Sequence, residues 1–400
     1  MDPTDPAQTS RLSIRDVSAA VTTSVFSSLA VFLVAALALQ IRESLHFGVA
    51  GLGVVVSLYY LSAALGSVPL SRAVEAIGAL RAMRLGCFLM AMLLIVLAAA
   101  VRSLLGLSLL MVAAGVVSSG LQPATNLFLI RRIPRAHHGF AFGIKQAAVP
   151  VAVLLGGLCV PVFALTVGWR WAFVAAALLA LVAGATMPRS RTSLAEYRAR
   201  PPIPPLGRAA AGNLILLAVG FALGVAAASA LSAFIVTAAA AAGETKATAG
   251  LLASLGGVVA AATRIAIGRH VDRHASAHLV IVSTMLAVGV AAYVMLALAS
   301  SALSALLIPG IVLAFSAGWG WNGVFNLAIA SRYPTQAARA TGVTSIGGRA
   351  GGVVGPLVFG LVVTHASYET AWLLAAGSAM SGALIILAGR RRLQRTARVA

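Results

Sequence analysis

Long apolar runs recur along this chain from end to end, separated by short polar gaps. Each run supplies the ~20 residues that a helix needs to cross ~30 Å of hydrocarbon. Twelve helices can be placed this way, at about 18–40, 50–70, 79–99, 104–129, 139–165, 169–187, 209–239, 247–267, 278–298, 303–330, 340–364 and 369–389. The pattern predicts an all-α polytopic membrane protein. The helices are rich in Ala and Gly, as at Gly156-Gly157 and from Gly347 to Gly355. Small residues let backbones approach where lipid offers no hydrophobic force for association, although alanine is abundant everywhere here. The longest polar interruption, Pro188 to Arg208, separates six spans from six. Its five arginines and five prolines suit an extended cytoplasmic linker held near anionic headgroups. The expected organisation is an N-terminal six-helix bundle at 1–187, the linker at 188–208 and a C-terminal six-helix bundle at 209–400.

Composition sharpens this picture. Sixty per cent of the 400 residues are hydrophobic, only 10% are charged, and the mean hydropathy is +0.99; soluble domains carry far more charge. The net charge of +20 raises nucleic acid as a partner, but the arginines lie in short clusters between apolar runs without interleaved aromatics. The lipid bilayer is the expected partner, and nucleic acid is not. With the N-terminus inside, 23 Lys or Arg fall in tails, cytoplasmic loops or their helix ends, against four outside: Arg42, Arg102, Arg170 and Lys246. The positive-inside rule therefore predicts both termini in the cytoplasm. Cys87 and Cys159 stand alone in apolar helices and read as small buried hydrophobes. The polar start, MDPTDPAQTSRLSIRD, lacks the features of a cleaved signal peptide.

One charged stretch occurs twice. Gly268 to His278 reads GRHVDRHASAH, and a blurred copy, SRAVEAIGALR, runs from Ser71 to Arg81. In both, an acid stands four residues after a small residue, and the copies fall between the second and third helices of their halves. Repeated halves are the expected basis for alternating access about a central site. At these residues the chain resembles the major facilitator superfamily, whose loop between helices two and three commonly reads G-x-x-x-D-R-x-G-R-[RK]. The second copy keeps Gly268, Asp272 and Arg273, with Ala275 in place of the later glycine. The first has Ser71, Glu75 and Ala76 at the leading positions and retains Gly78 and Arg81. The stretch from Gly139 to Pro150 and the glycines from Gly342 to Gly355 resemble the family's glycine-rich helices five and eleven.

The resemblance implies two pseudosymmetric bundles, with helices one, four, seven and ten lining much of the cavity. It also implies that the acid of the repeated loop holds a cytoplasmic gate. Asp272 is the first candidate, with Arg269 and Arg273 as partners; Glu75, Arg72 and Arg81 belong to the other copy, and Arg264 stands at the cytoplasmic end of helix eight. An acid near a helix N-terminus and a charged pair that breaks as the halves rock supply the physics. The plainer alternative is that these charges only orient and solvate the loop.

Cargo candidates on the cavity helices are Gln122 and Asn126, Asn213 and Ser229, and Trp319, Trp321, Asn322 and Asn326. Two residues apart, the tryptophans cannot share a helical face. Lys145 and Arg349 fall inside spans. Lys145, about 9 Å deep, is expected to snorkel to the interface. Arg349, about 13 Å deep, is expected to need a cavity or a partner. With acids confined to tails, loops and helix ends, Arg349 points to a carboxylate cargo. No nucleotide-binding loop, metal cluster or nucleophile–base set is visible, so neither an enzyme nor a cofactor is expected. The leading expectation is monomeric secondary transport of a small organic anion in a bacterial cytoplasmic (inner) membrane, coupled to a proton or a counter-transported anion. Efflux of an apolar or cationic compound, and a non-transporting receptor or scaffold, are the alternatives.

Overall fold

A computed structural model describes residues 14–133, 143–187, 208–273, 278–333 and 336–399. Twelve of its helices are long and apolar enough to cross a membrane. They are α1 (Ile14–Ala36), α2 (Val49–Ile77), α3 (Ala79–Ala100), α4 (Leu104–Arg132), α5 (Gly143–Ala164), α6 (Trp169–Thr186), α7 (Ala210–Ala241), α8 (Lys246–His270), α9 (His278–Ser301), α10 (Ser304–Arg332), α11 (Arg339–His365) and α12 (Tyr368–Gln394). Twelve crossings among the described residues put Ile14 and Val399 on one face.

The repeated charged stretch departs from its expected form as a loop. Ser71–Ile77 continues α2, and the backbone after Gly268 stays helical to Arg273. Nothing in SRAVEAI breaks a helix, since Arg, Ala and Glu are good helix formers. The break comes at Gly78, whose φ of +90° is open to glycine and strained for other residues. A second departure is the early start of α1 at Ile14, where Asp16 sits buried in the first turn, favoured there by the helix dipole.

Two six-helix bundles meet along two seams. At the first, α5 meets α8 so closely that a side-chain carbon on Gly157 would stand 2.4 Å from the Gly250 carbonyl oxygen. At the second, α2 meets α11: Ser57 Oγ donates to Val353 O at 2.6 Å, and a carbon on Gly53 would stand 2.5 Å from Pro356 O. These positions tolerate only glycine without the helices parting. On the face opposite the termini, Lys246 Nζ pairs with Glu43 at 2.6 Å and Ala50 N donates to Thr364 Oγ1 at 3.1 Å, tying the halves together. Outward-turned Leu85, Met92, Ile95, Leu178, Leu179 and Val182 leave α3 and α6 an apolar surface suited to lipid.

Candidate functional site

Four helices of the N-terminal half converge on one polar chain. Gln122 and Asn126 are one turn apart on α4, so their amides share a face. Gln122 Nε2 donates to Ser27 Oγ of α1 at 2.9 Å, which turns its oxygen the other way. Into that oxygen Lys145 Nζ of α5 donates at 3.0 Å, and into Asn126 Oδ1 at 2.5 Å. Behind Ser27, the Tyr59 hydroxyl of α2 donates to the Ser27 carbonyl at 2.5 Å and pairs with Ser118 Oγ at 2.9 Å. Lys145 is only 4% exposed, so the snorkelling expectation is wrong. Its ammonium finds two amide oxygens inside the bundle and has no need to reach the interface for hydrogen bonds. Both partners are neutral, so among the described residues the charge itself stays unmatched.

A second cation arrives from the other half. Arg264 of α8 donates from Nη1 to Gln146 O, the carbonyl next to Lys145, at 2.8 Å, and its guanidinium lies 4.8 Å from the Trp319 ring centroid. Its Nε is buried without a partner among the described residues. Trp319 in turn meets Phe32 of α1 edge-on at 6.1 Å, joining the halves through aromatic rings. A wide π-helical turn at Ala314–Gly318 precedes Trp319, and the two tryptophans, two residues apart, point to different surroundings. Trp321 is fully buried against Phe221 and Phe325 and donates from Nε1 to Gly318 O, deep in the C-terminal half.

The remaining candidates scatter. Asn322 donates to Trp319 O at 3.1 Å, Asn326 is half-buried one turn further along α10, and Asn213 is buried near the start of α7. Ser229 is consumed by packing, bonded to Gly351 O at 3.3 Å. Arg349 does not stand unpartnered. It donates across the second seam to Ala64 O at 3.3 Å and to Ser67 Oγ, both on α2. Its cost is met by α2, and cargo is not required to explain it. Arg349→Gln is therefore expected to shift the balance between conformations by about 1 kcal/mol, or roughly fivefold, with cargo affinity unchanged. Turnover measured beside equilibrium binding separates the two.

Among the gate candidates, Arg72, Glu75, Arg81 and Arg269 are exposed and Gly268 is half-buried. The side chains of Asp272 and Arg273 lie outside the described residues. Sequence reading missed Ser27, Phe32 and Tyr59. Single hydroxyls in apolar helices usually bond their own backbone, so Ser27 carried no distinguishing signal.

The sequence pattern of the Major Facilitator Superfamily matches residues 20–275 and 216–399. No curated protein matches the sequence significantly. Among solved structures, a bacterial homolog of the human lysosomal transporter Spinster in its inward-facing, unoccupied conformation aligns with a TM-score of 0.70 at 15% identity, over 96% of each chain. The same homolog in its inward-facing, occupied conformation gives 0.71 at 14% identity, again over 96% of each. A mutant of the nucleoside transporter NupG gives 0.71 at 14% identity, over 93% of this chain and 99% of that one. At such identities these likenesses speak to fold alone. The sequence match runs through both halves, and the chain belongs to the major facilitator superfamily.

Proposed function

We propose that this transporter carries a small organic anion, a carboxylate, by secondary active transport with alternating access. The observation that carries the reading is that each half brings a cation to the same stretch of α5, Lys145 from α5 itself and Arg264 from α8 onto the carbonyl of the next residue, Gln146, and that among the described residues their hydrogen-bond acceptors are neutral oxygens. A carboxylate entering between them matches a charge that the amides leave unmatched, through charge-assisted hydrogen bonds from both sides. Because the two cations belong to different halves, a bound anion is gripped by both and released as they separate. A cationic cargo would meet repulsion instead. The anion-binding centre thus moves from Arg349 to Lys145 and Arg264, with Gln122 and Asn126 as supports and the face of Trp319 beside them.

The rest of the proposal follows the charge count. Both termini are cytoplasmic, in a bacterial cytoplasmic membrane, with bundles at 1–187 and 209–400 joined by the linker 188–208. The bonds Glu43–Lys246 and Ala50–Thr364 then close the outer face, and Asp272 with Arg269 and Arg273 closes the inner one in the opposite conformation. The test uses purified protein in liposomes, preloaded for counterflow and offered labelled benzoate, lactate, succinate and tetraphenylphosphonium. Exchange of a carboxylate is expected. Exchange of tetraphenylphosphonium alone would refute the assignment.

A further inference from the structure

Four basic residues belong to the face opposite the termini, and two of them are explained by packing. Lys246 pairs with Glu43, and Arg42 Nε donates to Phe47 O at 3.2 Å. The other two converge on a single atom. Arg102 Nη1 and Arg170 Nη2 both donate to the carbonyl oxygen of Val101, at 3.0 and 2.9 Å. Two nitrogens sharing one oxygen at those distances stand within about 6 Å of each other, close enough to repel. Neither arginine forms an ion pair among the described residues.

Val101 caps the C-terminus of α3, and one cation there is explained by the partial negative charge of a helix end. A second cation on the same oxygen is not. It adds repulsion, and among the described residues the two bonds use only two of the ten guanidinium N–H groups of the pair. Arg170 meanwhile lies against Trp169, its guanidinium 4.2 Å from the ring centroid, and its Nε is buried without a partner among the described residues. The surroundings are those of a membrane boundary: Trp171 is 55% exposed and Val167 60% exposed, beside the start of α6. Tryptophan at a span end marks the headgroup level.

We propose that Arg102 and Arg170 form a binding site for a phosphate group, filled by the headgroup phosphate of an anionic phospholipid. Two guanidinium groups present paired donors to tetrahedral oxygens, the geometry in which arginine outperforms lysine. The phosphate bridges the turn between α3 and α4 to the start of α6, cancelling the repulsion at Val101 and fastening the α3–α4 hairpin to its neighbour. The same chemistry would accept free phosphate; the position at the lipid boundary selects the lipid.

The experiment uses the full chain purified in a non-ionic detergent with phosphatidylcholine, to which phosphatidylglycerol is added. Native mass spectrometry counts retained lipid and a melting curve reads the stabilisation. Wild type is expected to retain one phosphatidylglycerol through gentle activation and to gain roughly 2–4 °C. Arg102→Gln and Arg170→Gln should each lose that lipid and most of the gain, whereas an Arg390→Gln, Arg391→Gln double variant on the terminal face keeps both. Arg170→Gln also loosens the cap of α3, so the quantity compared is the lipid-dependent gain, and exposed Arg102 supplies the variant that leaves folding alone. Retention of the lipid and the gain by both single variants overturns the site. A full gain from inorganic phosphate without phosphatidylglycerol overturns its assignment to lipid.

Discussion

Lys145→Gln is expected to abolish anion binding and transport while leaving the protein as stable as wild type, or more so. The two outcomes together separate cargo recognition from structure. Removing one partner of a buried charged contact costs about 2–5 kcal/mol in binding, at least about thirtyfold in affinity. Stability runs the other way. The ammonium is buried at 4% exposure against neutral oxygens, so folding bears the cost of desolvating an unmatched charge. A glutamine retains donors that Gln122 and Asn126 can accept, and it removes that cost. Were Lys145 a structural strut, its loss would lower the melting temperature with little effect on binding. Labelled-anion binding and melting curves on one preparation check the prediction. Unchanged affinity would exclude Lys145 from the cargo site.

This ordering reverses the one that depth along the helix predicts. Sequence reading ranked Arg349 above Lys145 because it lies deeper in its span, yet depth says nothing about rotation about the helix axis. A span that is apolar on all sides has no polar stripe to mark its inward face, so the direction of a lone charge is not legible. Lys145 happens to turn inward, onto α4, and Arg349 turns onto α2. Gln122 and Asn126 were visible as candidates, because amides are rare in apolar helices; their joining to Lys145 was not, because it depends on how α4 and α5 pack. The spans themselves were legible to within a few residues at most ends. Apolar length finds them, whereas the true helix runs on wherever the backbone can keep bonding, as α2 does to Ile77. The separation of Trp319 from Trp321 followed from their spacing, but not which of them meets Phe32. A π-helical turn ends immediately before Trp319, and it has no clear sequence mark.

Two glycines of similar crowding are expected to fail in different ways when changed to valine. At Gly351 on α11, a side-chain carbon would stand 2.2 Å from Ala222 O of α7, inside the C-terminal half. At Gly157 on α5 it would stand 2.4 Å from Gly250 O and 2.7 Å from Ser254 N of α8, between the halves. Neither obstacle is a flexible side chain, so the helices themselves must separate, at about 1–3 kcal/mol or more. Inside a bundle there is no second arrangement to escape to, and Gly351→Val should lower the melting temperature by several degrees and reduce the folded yield. Between the halves there is one. The alternating access proposed above requires the α5–α8 seam to open, so Gly157→Val should be relieved by favouring conformations in which the face opposite the termini is parted. A penalty of about 1–3 kcal/mol placed on one conformation shifts the populations roughly 5- to 150-fold. Spin labels at Ser44→Cys and Thr245→Cys, both exposed on that face, should then report a longer distance in Gly157→Val than in the parent, with a near-parental melting temperature and slowed exchange. An unchanged distance together with the same loss of stability as Gly351→Val would make the α5–α8 contact a fixed part of the core, and the moving interface would have to be sought elsewhere.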